Sequence, residues 1–232
     1  MCGRYVSPEE AALEREFRID RRSRNPISRN FNVAPTSSVP ILLWSESRLM
    51  ELHIARWGLI PSWWKKPKPP TLTFNARSEE AASKPMWRQP YRHSRCLMPA
   101  EGWYEWQEPG SVDPTTGEIR TVKQPFFIHA QGRGLVAFAG LLSHYQSADG
   151  KEQLSCALLS KAAAPNLAYI HDRMPVVLAP SAFGAWLDPA VSDVGVVSGL
   201  IKESRTDFEG YPVSTLVNNA RNNTPSVLER AL

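Results

Sequence analysis

Cysteine is scarce in this chain: Cys2, Cys96 and Cys156 are the only three among 232 residues, and they lie far apart. No C-x-x-C pair or histidine cluster accompanies them, which argues against a disulfide framework and a zinc site. No metal and no cofactor is expected. An apolar run of about 18 residues is missing, as is a hydrophobic N-terminal segment, so neither membrane spanning nor secretion is expected. Repeats, linkers and low-complexity tracts are also lacking, which leaves one domain over residues 1–232. Net charge is low, at a formal +4, but it is uneven. The first thirty residues hold Arg4, Arg15, Arg18, Arg21, Arg22, Arg24 and Arg29, a distribution open to a polyanionic partner or to no function at all.

Apolar residues make up 42% of the chain, with eight tryptophans, enough for a full core. Ser7-Pro8-Glu9-Glu10 reads as an N-cap, a first-turn proline and a capping-box glutamate, and predicts a helix over about 8–18, after an extended lead-in over residues 2–6. Strands are expected over Val39–Trp44, Leu49–Trp57, Arg95–Pro99, Gly102–Gln107, Pro125–Ala130, Leu135–Leu141, Leu154–Ser160 and Met174–Leu178. Helices are expected at Ser78–Ala82, Ser181–Leu187 and Val194–Ser204. Pro61–Pro70 reads as a loop and the polar stretch between Gln107 and Gln124 as a long hairpin tip. Short strands with few helices do not make a βαβ rhythm. The expected class is α+β: a mixed, largely antiparallel sheet or open barrel with peripheral helices.

Cys2 follows Met1, and small second residues are those behind which the initiator is removed. A cysteine at the mature terminus is a 1,2-aminothiol: its amine, with a pKa of about 7.7–8.0, condenses with an aldehyde, and its thiol closes the imine to a thiazolidine. Alternatively Cys2 is an arbitrary small residue. Trp63-Trp64-Lys65-Lys66-Pro67-Lys68 interleaves stacking surfaces with cations, the composition that grips unpaired bases and their phosphates, although one tryptophan anchoring a solvated loop would look similar. Glu105, in Gly102-Trp103-Tyr104-Glu105-Trp106, shares a strand face with Trp103, so it is either a buried or pocket-lining carboxylate suited to proton transfer or one satisfied by an arginine. His171 precedes an apolar strand, where loops present functional groups, and Asn75 precedes the helix at Ser78; each also has a purely structural reading.

Taken together, Met1-Cys2-Gly3-Arg4, Asn32-Val33-Ala34-Pro35-Thr36, Trp57-Gly58-Leu59-Ile60-Pro61, Asn75-Ala76-Arg77, Pro99-Ala100-Glu101-Gly102-Trp103-Tyr104-Glu105-Trp106 and His171-Asp172-Arg173-Met174-Pro175 closely resemble the SOS-response-associated peptidase (SRAP) family, whose members shield abasic sites. The match runs from Cys2 to about Asn219, a core of about 2–220. The resemblance implies a barrel-like core, a basic groove for single-stranded DNA and its junction with duplex, and a thiazolidine between Cys2 and the ring-opened abasic sugar. It implies that Asn75 orients the adduct, that Glu105 positions the Cys2 amine and moves protons, and that His171 acts on the sugar ring oxygen. Trp63 and Trp64 would wedge against bases, and Arg4, Arg77 and Arg173 would contact phosphates. The lack of a secretory or membrane segment and of a disulfide framework reads as an intracellular protein, expected in the bacterial cytoplasm and at the nucleoid when bound to DNA. Nothing in the sequence demands more than a monomer. Two readings compete: an N-terminal cysteine peptidase using the same side chains, which removes Met1 or cleaves other chains, and a single-strand-binding module in which Cys2 is incidental.

Overall fold

Apolar runs without polar alternation need cover on both faces, and the central strands obtain it by closing into a ring. The computed structural model describes every residue except 1, 24, 25, 67, 69, 71, 72, 111, 113–116, 118, 120–122, 147–149 and 232. In chain order the elements are β1 (Arg4–Ser7), α1 (Glu10–Phe17), β2 (Asn30–Val33), β3 (Ser38–Trp44), β4 (Met50–Trp57), β5 (Asn75–Arg77), α2 (Ser78–Ala81), α3 (Arg88–His93), β6 (Arg95–Ala100) and β7 (Gly102–Gln107). They continue with β8 (Gln124–Ala130), β9 (Val136–Gln146), β10 (Glu152–Ala162), β11 (Arg173–Pro175), β12 (Val177–Leu178), α4 (Phe183–Leu187), α5 (Val194–Lys202) and β13 (Phe208–Pro212).

Strand β10 pairs with β4, β4 with β3, β3 with β6, β6 with β9, and β9 again with β10. The ring is therefore closed, a largely antiparallel barrel in which only the β10–β4 pairing is parallel. A second sheet, ordered β13-β8-β7-β1-β2 and antiparallel throughout, packs against the barrel. The class is α+β, as expected.

Alternation sorts the side chains into three layers. Val39, Ile41, Trp57, Cys96, Met98, Phe138 and Leu158 of the barrel join Tyr5, Trp103, Phe126 and Phe208 of the second sheet in one core. The alternate barrel residues Leu42, Leu97, Ala139, Leu141 and Leu159 meet Leu13, Tyr91, Trp186, Val197 and Ile201 of the helices. Val6, Tyr104 and Phe127 on the far face of the second sheet are covered by Val213, Val217 and Val227. Gly102 is required where β7 begins: a Cβ there would lie 2.3 Å from the Ile128 carbonyl oxygen and 2.6 Å from the Phe127 ring. Gly102→Ala is expected to destabilise the fold by about 1–3 kcal/mol, read as a lowered thermal midpoint.

Two local expectations change. Ser7 does not cap α1; it is the buried last residue of β1, whose pairing with β2 and β7 claims the residues expected to be a lead-in. Glu9 is the N-cap and makes no side-chain cap, while the Glu10 carboxylate accepts the Ile27 amide, so tertiary pairing overrides the local capping signal. Most of the tip between Gln107 and Gln124 lies outside the described residues, although Val112 and Ile119 form an antiparallel bridge. Among the described residues no helix is long and apolar enough to cross a membrane.

Candidate active site

The barrel opens at the C-terminal end of β10. There β4 gives way to β5 along one edge, and β9 gives way to β11 along the other, so Asn75 lies opposite Leu158, Arg77 opposite Ser160 and Arg173 opposite Ala162. Residues distant in sequence converge on this splayed end. Cys2 lies two residues before β1, which itself pairs with β7, and that pairing carries the N-terminus toward Glu105.

Cys2 is 2% exposed, and its backbone carbonyl accepts a hydrogen bond from Asn75 Nδ2 at 2.8 Å. The Asn75 Oδ1 atom is buried and has no partner among the described residues, an acceptor facing inward at the same place. Burial pushes the Cys2 thiol well above its ordinary pKa, and the charge of Glu105 and a hydrogen bond to it push in the same direction, so the thiol is neutral. Glu105 is 1% exposed. Burial raises its pKa above the ordinary carboxylate value, and the neighbouring His171 opposes that rise. His171 Nε2 stands 3.8 Å from Glu105 Oε2, beyond hydrogen-bond reach, and the Arg173 amide donates to His171 Nδ1 at 2.9 Å.

A cleft of about 310 Å³ reaches this group; its lining is Glu105, Trp106, Glu108, Lys123, His171 and Asn218. Glu105 meets Cys2 on one side and the cleft on the other. Two wall residues, Glu108 and Lys123, form an ion pair. Asn32, a residue of a motif whose task the sequence did not disclose, holds the segment on either side of the lining residue Asn218. Asn32 is 2% exposed; its Nδ2 donates to the carbonyls of Val217, Asn219 and Asn222, and its Oδ1 accepts from Arg4. Trp106 Nε1 donates to Asn218 Oδ1 at 2.7 Å. A buried asparagine in an apolar context was the available signal, since such an amide must be satisfied.

The arginines separate into distinct placements. Arg4 donates to Asn32 Oδ1 and to the Val217 and Asn218 carbonyls, and Arg173 forms a bidentate pair with Glu79. Arg77 is exposed at the end of β5. Of the remaining N-terminal arginines, Arg15, Arg21, Arg22 and Arg29 pair with Glu16, Glu51, Glu14 and Glu101, so much of the basic excess seen in the sequence is neutralised locally. Arg18 closes α1 in a left-handed conformation, and Arg24 lies outside the described residues. Trp63 is 56% exposed, its ring centre 6.0 Å from that of Trp64, while Trp64 Nε1 donates to the Lys68 carbonyl and Lys66 lies over the Trp64 ring. Pro67 lies outside the described residues. Among the described residues no group of three or more His, Cys, Asp or Glu side chains is placed to hold a metal ion.

The electrostatics of Glu105 make a stability prediction. A raised folded-state pKa means that the native state binds more protons than the unfolded chain between the ordinary carboxylate value and the raised one, so stability falls as pH rises through that window. Glu105→Gln removes this loss. Its thermal midpoint should exceed wild type near neutral pH, and the difference should shrink toward about pH 4. A variant melting below wild type at neutral pH would show that the contacts of the carboxylate outweigh its burial.

Comparison with known proteins places the chain. The family model described as SOS response associated peptidase (SRAP) matches residues 1–220. Abasic site processing protein YoqW of Bacillus subtilis is 34% identical, with 99% of each chain covered, and abasic site processing protein YedK of Escherichia coli is 30% identical, also with 99% of each covered. A crystal structure of a protein from Bacteroides thetaiotaomicron has the same fold, with a TM-score of 0.82 over all of both chains at 23% identity. With the family model matched over almost its whole length and full-length relatives at this identity, the chain belongs to the SRAP family.

Proposed function

We propose that this protein processes abasic sites by capturing them covalently in single-stranded DNA through Cys2, once Met1 has been removed. The observation that carries the reading is the buried contact between the Cys2 thiol and Glu105, with Asn75 holding the Cys2 carbonyl and a cleft leading to Glu105 and His171.

Loss of Met1 converts the Cys2 nitrogen from an amide to a primary amine. The ring-opened abasic sugar presents an aldehyde at C1′. The amine adds to it, and the resulting carbinolamine loses water to form an imine. Glu105, with its raised pKa, is a proton donor for that loss, because protonation makes the hydroxyl a leaving group. The thiol then attacks the carbon of the resulting protonated imine: the S–C bond forms, the C=N π pair moves to the nitrogen, which keeps its proton as the secondary amine of a five-membered thiazolidine, and the S–H proton returns to the Glu105 carboxylate. A thiol kept neutral by burial does not compete for the aldehyde before the imine exists. His171, at the cleft wall, transfers a proton to or from the sugar ring oxygen during opening and reversal. Asn75, whose buried Oδ1 has no partner among the described residues, orients the sugar hydroxyls.

The DNA lies across Arg77 and the Trp63–Trp64 loop, where stacking contributes about 1–3 kcal/mol per base and a junction with duplex meets an aromatic edge. Arg4, beside the cleft residue Trp106, is a further phosphate contact. One copy of the chain suffices. If the imine persists, loss of the 3′ phosphate by β-elimination gives a strand-cleaving side reaction. The test is incubation of wild type and Cys2→Ala with a single-stranded oligonucleotide holding one abasic site, followed by denaturing electrophoresis; a slow-migrating band with wild type alone is expected.

A further inference from the structure

Arg173 begins β11, and its guanidinium ties three elements together. Nη1 and Nη2 donate to the two carboxylate oxygens of Glu79 on α2 at 2.8 and 2.9 Å, and Nη2 also reaches the carbonyl and hydroxyl oxygens of Ser160 on β10 at 2.7 and 3.2 Å. A two-point arginine–carboxylate pair fixes orientation as well as distance. The pair is sheltered on one side, since the Arg173 side chain is 16% exposed. Hydrogen bonding from Arg173 holds the Glu79 carboxyl below its ordinary pKa.

The backbone of Arg173 acts on a second residue. Its amide donates to His171 Nδ1 at 2.9 Å. A backbone N–H can only donate, so Nδ1 carries the lone pair and the proton of the neutral ring sits on Nε2, which faces Glu105 Oε2 at 3.8 Å. A rival for Nδ1 is close by, because Asp172 Oδ1 lies 3.0 Å from it and would accept a proton held there. Which nitrogen is protonated therefore depends on whether the start of β11 stays in place.

We infer that Arg173 is a positioning residue: its bidentate pair with Glu79 anchors the start of β11, so that its own amide holds His171 in the tautomer whose Nε2–H faces Glu105. The consequence for rate rests on the capture reading above; the consequence for the tautomer does not. Glu79, which no motif pointed to, becomes part of the site, and the main task of the Arg173 side chain is internal.

Two variants test this, Glu79→Gln and Arg173→Met. The imidazole nitrogen shifts of His171, read by 15N NMR without DNA, should show the Nε2–H form in wild type and a shift toward Nδ1–H in both variants. Adduct formation should slow by about tenfold or more in both, the scale of a misplacement near 1 Å. The salt dependence of binding to an intact oligonucleotide should stay the same. An Arg173 whose side chain serves chiefly DNA phosphates gives the opposite pattern: Arg173→Met lowers the salt slope by about 0.7, as one lost phosphate contact on a single strand does, and Glu79→Gln tightens DNA binding. That pattern, or an unchanged tautomer in Glu79→Gln, overturns the inference. Glu79 is half exposed, so its glutamine variant should fold even where Arg173→Met does not. If wild type forms no adduct, the capture reading fails while the NMR result still decides the tautomer.

Discussion

Cys2→Ala should reduce the denaturant-stable adduct from a stoichiometric product to background, and Cys2→Ser should separate its two chemical steps. Serine keeps the amine and loses the sulfur. Imine formation then proceeds, but ring closure would have to give an oxazolidine, whose oxygen is the poorer nucleophile. The serine variant should yield a bond that is lost on dilution and kept only after borohydride reduction. A chain that retains a residue ahead of Cys2 has an amide nitrogen there, with no basic lone pair, and should bind the lesion without capturing it. Burial explains why no other cysteine substitutes: Cys96 and Cys156 lie inside the barrel, 0% exposed, with their thiol pKa values pushed upward. An undiminished adduct in Cys2→Ala would end the capture reading. Turnover of peptides by protein with a Cys2 terminus would instead favour the peptidase.

The largest expected effect on stability belongs to Arg95. It is 5% exposed in the first position of β6, and its five N–H donors are all used by backbone carbonyls: Tyr91 and Arg92 at the end of α3, Trp186 and Asp188 at the end of α4, and Val191 beyond it. A cation at the C-termini of two helices meets the negative ends of both and satisfies carbonyls that the helices leave open. Burial lowers its pKa, but a guanidinium stays charged. Arg95→Met would leave those carbonyls buried and unpaired, at a cost of about 3–5 kcal/mol, roughly 6–20 °C in thermal midpoint for a domain of this length. Arg95→Lys should fall between, because an ammonium has three donors and cannot span both helix ends. A methionine variant that melts within about 2 °C of wild type would show that the network contributes little.

Much of the fold was legible because the strands are long and apolar. Of the expected strands, those at Gly102–Gln107 and Val39–Trp44 differ from β7 and β3 by at most one residue at an end. Short elements escaped notice. β2, β5 and β13 have 4, 3 and 5 residues, too few for a period to show, and each exists because a neighbouring strand offers it an edge. Ser7-Pro8-Glu9-Glu10 shows the reverse case, a clear local signal defeated by strand pairing.

By itself the sequence determined which chemistry was available. An aminothiol needs a cysteine next to the initiator, a proton carrier needs a carboxylate among aromatics, and both are written in Cys2 and Glu105, as is the alternation that buries Glu105 with Trp103. Tertiary structure decided which charges are free to act. Arg4, Arg95 and Arg173 look alike in the chain, yet one braces a cleft wall, one closes two helix ends and one pairs with a glutamate 94 residues away. Partners of that kind are set by which backbone ends and carboxylates the fold brings within about 3 Å, and hydrogen-bond reach is too short for sequence spacing to predict across a barrel.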